Sequence, residues 1–427
     1  MEHANNFTSI DKLRSRGIKL WFVETSTFNF TWNLALGLIN AFLIKILGYG
    51  VVELGLLTSV RIASIGLSQF PAAILISFKR EKRKLIWFVT GAMSRLSLPL
   101  IVLAPYLPAE YRLLYLVLIN FEAQFTVGLS GVAASDVLAD LVPYSMSADV
   151  FSTANKLNYI GIASANLVSL AIFIAPLPIE AKYLYSYGTA FAVGAVSTVA
   201  LALIPDPGPR PPSTLPQGFM GMVISSLVRD KAASRYLMVL SFFNFAVNIP
   251  APFWDYIVMS LTGGSELFII LKNVSNLFVK AFSVRLWRDY LVKRGLKQTV
   301  VVGFAFTSFI PVFYAVVGGA EAPAELLGAE AFSGMAWASL DISMTLYNLY
   351  LPPNNARPIF LSAIGFTVNT VSSIASTLGT AIYVSTNSVL PVLLTSSALR
   401  LVTALVAKEV LPDIGKERVM ENQVVGR

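Results

Sequence analysis

Five ionisable side chains sit where an apolar chain can least tolerate them: Arg61, Arg95, Glu122, Lys272 and Asp341 each fall well inside a long apolar run. Counted at ~1.5 Å per helical residue from the outer end of each run, all five lie roughly 12 to 16 Å deep in a bilayer. An ionised side chain at the bilayer centre costs about 2.5 to 3.5 kcal/mol on insertion scales. Facing lipid, the five would together cost on the order of 12 to 18 kcal/mol, more than the net stability of a typical domain. They must meet one another or line a wet interior. In one reading Glu122 and Asp341 bind a proton or a cation, with a neighbouring Arg or Lys opposing the desolvation that favours the neutral acid. In the other, Arg61 or Arg95 pairs with Glu122, and Lys272 with Asp341, as fixed struts between helices. Arg95 fits a strut or a coupling role, whereas Arg61 and Lys272 are candidates for holding substrate. Three cations against two anions point to an anionic or carboxylate-bearing solute. Glu24, Lys45, Lys156, Lys280 and Arg400 lie nearer span ends, where long side chains snorkel to the surface and act as anchors.

A second constellation is written twice. Ser26, Asn29 and Asn33 recur as Ser241, Asn244 and Asn248, each set flanked by Phe. This spacing puts the polar side chains on one face of a helix. Each amide offers donors and acceptors to a polar solute, or to a neighbouring helix as glue worth roughly 0.6 to 2 kcal/mol per contact. Phe28, Phe30, Trp32, Phe243 and Phe245 read as packing and lipid contacts.

Only membrane-crossing elements can position such groups. Of 427 residues 55% are hydrophobic and 13% charged, with mean hydropathy +0.67, too little charge to coat a soluble globule. The net charge of +8 lies in short loops between apolar runs, which favours a membrane over a nucleic-acid partner. The chain has no Cys and one His, His3. Disulfides, thiolate nucleophiles, zinc sites and histidine proton relays are thereby excluded, and with them the usual parts of a membrane enzyme. No GxxxxGK[ST] phosphate loop occurs, so neither ATP hydrolysis nor a cofactor or metal is expected.

Apolar segments long enough to cross a ~30 Å core recur about twelve times, from Leu20–Leu47 to Val389–Val406. Basic residues Lys12, Arg14, Arg16 and Lys19 precede the first, which is too long for a signal peptide and reads as an uncleaved span. Basic connections alternate with poor ones. The N-terminal arm, Lys79–Lys84, Arg210–Arg235, Arg285–Lys297, Arg357 and the C-terminal tail lie on one side. Arg112, Lys182 and the acidic Glu321, Glu325 and Glu330 lie on the other. Both termini are therefore expected in the cytoplasm of a multi-pass cell-membrane protein. Pro205–Pro212 is a stiff linker, followed by a stretch to Arg235 able to lie on the membrane surface. This divides the chain into an N-terminal bundle (1–204), a linker (205–235) and a C-terminal bundle (236–427). The fold class is all-α, two pseudo-symmetric six-helix bundles, because Glu53-Leu54 and Glu266-Leu267 also repeat in order with the Asn pairs.

Twelve spans, cytoplasmic termini, a central linker and basic loops after the second and eighth spans together resemble the major facilitator superfamily. That family's loop signature is Gly, three residues, Asp, Arg, one residue, Gly, Arg and Arg or Lys. In the second half Leu286 and Trp287 lead into Lys293, Gly295 and Lys297 at its Arg, Gly and final basic places. Val292 replaces the Asp and Arg288 the first Gly. In the first half the closing Lys82-Arg83-Lys84 survives, with Phe78 at the Asp place and Glu81 at the second Gly place. The segment Phe332–Trp337 is similar to the tenth-span region of permeases of unassigned substrate in the family. The resemblance implies a monomeric secondary transporter of a small solute, working by alternating access. Coupling to protons through Glu122 or Asp341 is expected, with facilitated diffusion as the alternative. Asp136 and Asp140 are placed to pair with the basic loop 79–84 at an inner gate or as surface pairs. Rival readings are a non-transporting sensor or scaffold on this fold, and a lipid flippase.

Overall fold

The computed structural model describes residues 2–142, 146–208, 230–317, 322–351 and 357–413. Among the described residues every regular element is helical, as expected where a segment must satisfy all of its backbone hydrogen bonds internally. Among the described residues eleven helices are long and apolar enough to cross a bilayer. The first six spans are Leu13–Leu47, Val51–Ile76, Arg83–Tyr106, Ala109–Leu141, Val150–Ile174 and Ile179–Leu203. After the linker come Lys231–Leu261, Glu266–Arg294, Leu296–Val316, Phe360–Thr386 and Leu390–Val410, the seventh, eighth, ninth, eleventh and twelfth. The tenth, Ala322–Tyr350, has ample length at 29 residues but is less apolar, since it carries Glu325, Glu330 and Asp341. Large apolar side chains such as Leu167, Phe278, Phe282 and Val316 stand on the outside of these helices, the arrangement a hydrocarbon solvent selects. The chain is a multi-pass membrane protein.

By its contacts the chain divides into two compact units, Met1–Gly48 with Ser64–Leu215 and Tyr49–Ala63 with Pro216–Arg427. In the first unit the first span packs on the fifth and sixth, and the third on the fourth and sixth. In the second unit the seventh packs on the eleventh and twelfth, and the ninth on the tenth and twelfth. These four pairings are the same under a shift of six spans, and in the second unit the eighth span also packs on the tenth. Each unit has its own core. One gathers Trp21, Trp87, Leu138, Leu141 and Leu201. The other gathers Tyr236, Phe243, Phe304, Tyr347 and Ala404, with Phe243 stacked on Phe304 at 4.0 Å between centroids.

Glycine marks the repeat as clearly as asparagine does. Gly48 and Gly263 both adopt φ +67°, and they are separated by the same 215 positions as Asn29 and Asn244. Each turns the chain from the first span of its unit toward the next in the left-handed conformation that a side chain resists.

Matching breaks precede these turns. The first span is helical over Glu2–Leu36 and again over Ile39–Leu47, interrupted at Gly37 and Leu38. The long α-helical part of the seventh is Lys231–Asn248. Pro250 and Pro252 then stop the ladder, and the chain continues through tight Ala251–Phe253, a single turn Trp254–Tyr256 and widened Ile257–Leu261. The expected surface helix falls largely on residues 209–229, outside the described residues. Beyond it the seventh span has a capped start, the Asp230 carboxylate accepting from the Ala232 and Ala233 N–H groups at 2.8 and 3.2 Å.

Candidate functional site

In the first unit the five-group reading separates. Arg95 on the third span does not meet Glu122. Its guanidinium is buried, paired with Glu24 of the first span, donating from Nε to Ser197 Oγ of the sixth at 3.0 Å and lying 4.5 Å from the Phe28 ring. Glu24, expected as an anchor near a span end, is instead the buried counterion. The pair ties three helices of one core together. Glu122 on the fourth span is left with both carboxylate oxygens buried and without a hydrogen-bond partner among the described residues. Burying a polar group without a partner costs free energy, so packing alone does not account for this position.

In the second unit the expected strut between Lys272 and Asp341 is not formed. Lys272 is buried on the eighth span and donates to Asp255 Oδ1 at 3.0 Å. Asp255 belongs to the broken outer part of the seventh span, where Pro250 and Pro252 were its signal in the sequence. Asp341 pairs with Lys280, expected as an end anchor, and its side chain is 43% exposed. Glu330, expected in an outer acidic stretch, lies within the tenth helix. It accepts from Tyr314 Oη at 2.6 Å and from Asn276 Nδ2 at 2.8 Å. Arg61 is half-buried on the second span. With the acidic residues Glu24, Asp255 and Glu330 counted within the spans, the surplus of basic over acidic groups behind the anionic-solute expectation disappears.

Arg400, also expected as an anchor, is buried in the twelfth span with no carboxylate beside it among the described residues. Its Nη1 donates to the Thr307 carbonyl at 2.8 Å, and its Nη2 to that of Val247 at 3.4 Å. The residue four beyond Thr307 is Pro311, so this carbonyl has no helical donor. Ser396 donates to the Ala246 carbonyl at 2.7 Å, whose helical partner would be Pro250. The twelfth span therefore repairs proline breaks in the seventh and ninth.

The asparagines are treated alike in both units. Asn29 and Asn33 donate to the carbonyls of Thr25 and Asn29, at 2.8 and 3.0 Å. Asn244 and Asn248 donate to those of Leu240 and Asn244, at 2.9 and 2.8 Å. Asn29 also reaches Asn158 Oδ1 of the fifth span at 3.0 Å, and Asn248 reaches Ser372 Oγ of the eleventh at 3.0 Å. Asn29 and Asn248 thus spend both amide donors within the bundle, while Asn33 and Asn244 each keep one N–H. All four residues are half-buried, and their side-chain oxygens receive no donor from the described residues, so what they offer a solute is four acceptors and two donors.

At the basic loop after the second span Arg83 is fully buried. It holds Asp136 at 2.8 Å, Asp140, and the Gly208 carbonyl at 3.3 Å. The expected pairing forms, and it is a buried clasp rather than a surface pair.

No protein-family model and no curated protein matches the chain. Solved structures do. It is similar to a point mutant of the nucleoside transporter NupG, with TM-score 0.68 at 15% identity over 94% of this chain and 100% of that one. The inward-open xylose transporter XylE from E. coli gives TM-score 0.68 at 14% identity, over 97% and 99%. A POT family transporter in complex with 5-aminolevulinic acid gives 0.70 at 14%, over 92% and 95%. At such identity the likeness establishes the fold alone, the helical fold of these solved transporters, and it agrees with the fold expected from the loop and span pattern.

Proposed function

We propose that this chain is a secondary transporter, moving a small solute by alternating access between two related halves, 1–204 and 236–427, with proton uptake at Glu122 as its coupling step. The observation that carries the coupling is the pair of partnerless oxygens on Glu122 in the fourth span. A solute or a proton gradient can act on such a group because its charged form has nothing among the described residues to hold it. Transport itself is supported by the fold and by matched breaks in the first and seventh spans, which follow Asn33 and Asn248. Interrupted helices in corresponding places of two repeats mark the substrate region of many carriers.

The amide oxygens of Asn29, Asn33, Asn244 and Asn248, with the remaining N–H of Asn33 and of Asn244, favour a solute rich in hydroxyl, amine or amide groups. Arg61 and Lys272 remain candidate contacts; Lys272 reaches a solute only if Asp255 releases it. Asp341, more exposed and paired with Lys280, is the second candidate for coupling.

The test is uptake into proteoliposomes across a panel of pentoses, nucleosides, short peptides and amines, with and without an inward proton gradient. Once a solute is found, Glu122→Gln should keep solute exchange at equal pH and lose most gradient-driven accumulation, about tenfold or more. Full accumulation by that variant would remove Glu122 from the mechanism.

A further inference from the structure

The eighth span is longer than a bilayer core requires. Glu266–Arg294 is one continuous helix of 29 residues, about 43 Å at ~1.5 Å per residue, whereas a ~30 Å hydrocarbon core takes up about 20 residues. With Glu266 at one edge of that core, the helix leaves the other edge near Arg285. Its last turns then stand at the level of the lipid headgroups.

What this helix presents to its surroundings changes at the same point. Phe278, Phe282 and Leu286, at intervals of four, are 62%, 69% and 67% exposed, and the two Phe rings lie 4.6 Å apart between centroids. At ~100° per residue, Arg285, Arg288, Asp289, Val292 and Lys293 continue this face, and each of them is exposed. The opposite face packs inward, with Ser283 and Trp287 buried and Trp287 Nε1 donating to the Met335 carbonyl at 2.7 Å. Three cations and one acid therefore stand at the end of an apolar stripe. Arg285, Arg288, Asp289 and Lys293 have neither an ion pair nor a hydrogen bond among the described residues. The basic stretch after the second span differs, since Arg83 is buried against Asp136 and Asp140 and Lys84 donates to the Leu201 carbonyl. Those two charges are used inside the protein, whereas the three on the eighth span face outward.

We propose that this face of the eighth span is a binding site for an anionic phospholipid. An acyl chain lies along Phe278, Phe282 and Leu286, and the headgroup phosphate is held by Arg285, Arg288 and Lys293. Arg285 and Arg288, one turn apart, offer planar forks that match phosphate oxygens, and Lys293 adds a point charge. The net charge of the headgroup decides which lipid is taken. Contact with hydrocarbon is the same for every headgroup, whereas each basic residue at the membrane surface adds to the attraction of a negative one. A zwitterionic lipid brings an ammonium group along with its phosphate, and that group meets three cations and a single acid, Asp289. The site involves neither Glu122 nor the cargo, so it stands or falls apart from the transport reading.

The test offers the full-length protein in detergent an equal mixture of phosphatidylglycerol and phosphatidylcholine with identical acyl chains. The lipid retained is read by native mass spectrometry, and thermal unfolding checks that each variant is folded. The parent should retain phosphatidylglycerol in preference, by about tenfold or more, as several surface cations acting together require. Arg285→Gln, Arg288→Gln and Lys293→Gln combined should remove most of that preference, and Asp289→Asn alone should raise it. Lys79→Gln with Lys82→Gln, at exposed positions after the second span, should leave it unchanged. A large excess of inorganic phosphate should not displace the retained lipid. Equal retention of the two lipids by the parent, a preference that survives in the triple variant, or an equal loss in the Lys79 and Lys82 variant overturns the site. Displacement by inorganic phosphate overturns it as well, because the face would then take a free anion and not a lipid.

Discussion

At the scale of single residues, the largest energies belong to charges that have left water. Arg95 and Glu24 lie within one core, with side chains 3% and 5% exposed. Removing one partner of such a pair strands the other, which typically costs about 3 to 5 kcal/mol. Arg95→Met alone should therefore lower stability by that amount in denaturant or thermal unfolding in detergent. Glu24→Leu together with Arg95→Met should cost much less, because no charge of the pair remains to be buried. Equal costs for the single and double variants would show that the side-chain volumes, and not the charges, hold this corner. Glu122 is the opposite case. It has no partner to lose among the described residues, so Glu122→Gln should leave stability unchanged or raise it slightly while altering coupling. That pairing of outcomes separates a functional carboxylate from a strut.

Helices in this chain are defined as much by where they stop as by where they run. Pro250, Pro252 and Pro311 each remove a backbone donor, and the carbonyls of Ala246 and Thr307 are served instead by Ser396 and Arg400. A buried carbonyl without a donor costs about 1 to 3 kcal/mol. Pro311→Ala restores an N–H to Thr307, so Arg400 becomes less necessary. In a double-mutant cycle, Arg400→Met should cost at least about 1 kcal/mol less on the Pro311→Ala background than on the parent. Strict additivity in unfolding experiments would mean that Arg400 acts elsewhere. The same logic explains why the seventh span could be read as a single apolar run in the sequence and yet be broken in the fold. Hydropathy counts side chains, whereas continuity of a helix depends on which backbone groups can still donate.

Over the whole molecule, the duplication sets the order. The Asn pairs, the two left-handed glycines and the helix pairings all repeat with a shift of half the chain. Charge then sets orientation, since translocating Lys and Arg is disfavoured. We expect single Cys substitutions at the exposed Lys79, Glu81 and Lys82 to be protected from a membrane-impermeant maleimide in intact cells and labelled after permeabilisation. A Cys at Arg112 should react in both. The reverse pattern would invert the topology and place both termini outside.

Length, hydropathy and spacing were enough to establish about twelve spans, the repeat and the superfamily resemblance, because each of these is a property along the chain. The depth of a charge is also such a property, which is why the buried groups could be singled out at all. Their partners could not be read in the same way. A helix turns about 100° per residue, so the direction in which Arg95, Lys272 or Arg400 points is decided by how its helix is rotated against its neighbours. Glu24, Lys280 and Glu330 looked like end residues in sequence, Asp255 did not stand out there, and all four became counterions or hydrogen-bond acceptors only when the bundles assembled. Tertiary packing alone left Glu122 a buried carboxyl group without a donor among the described residues.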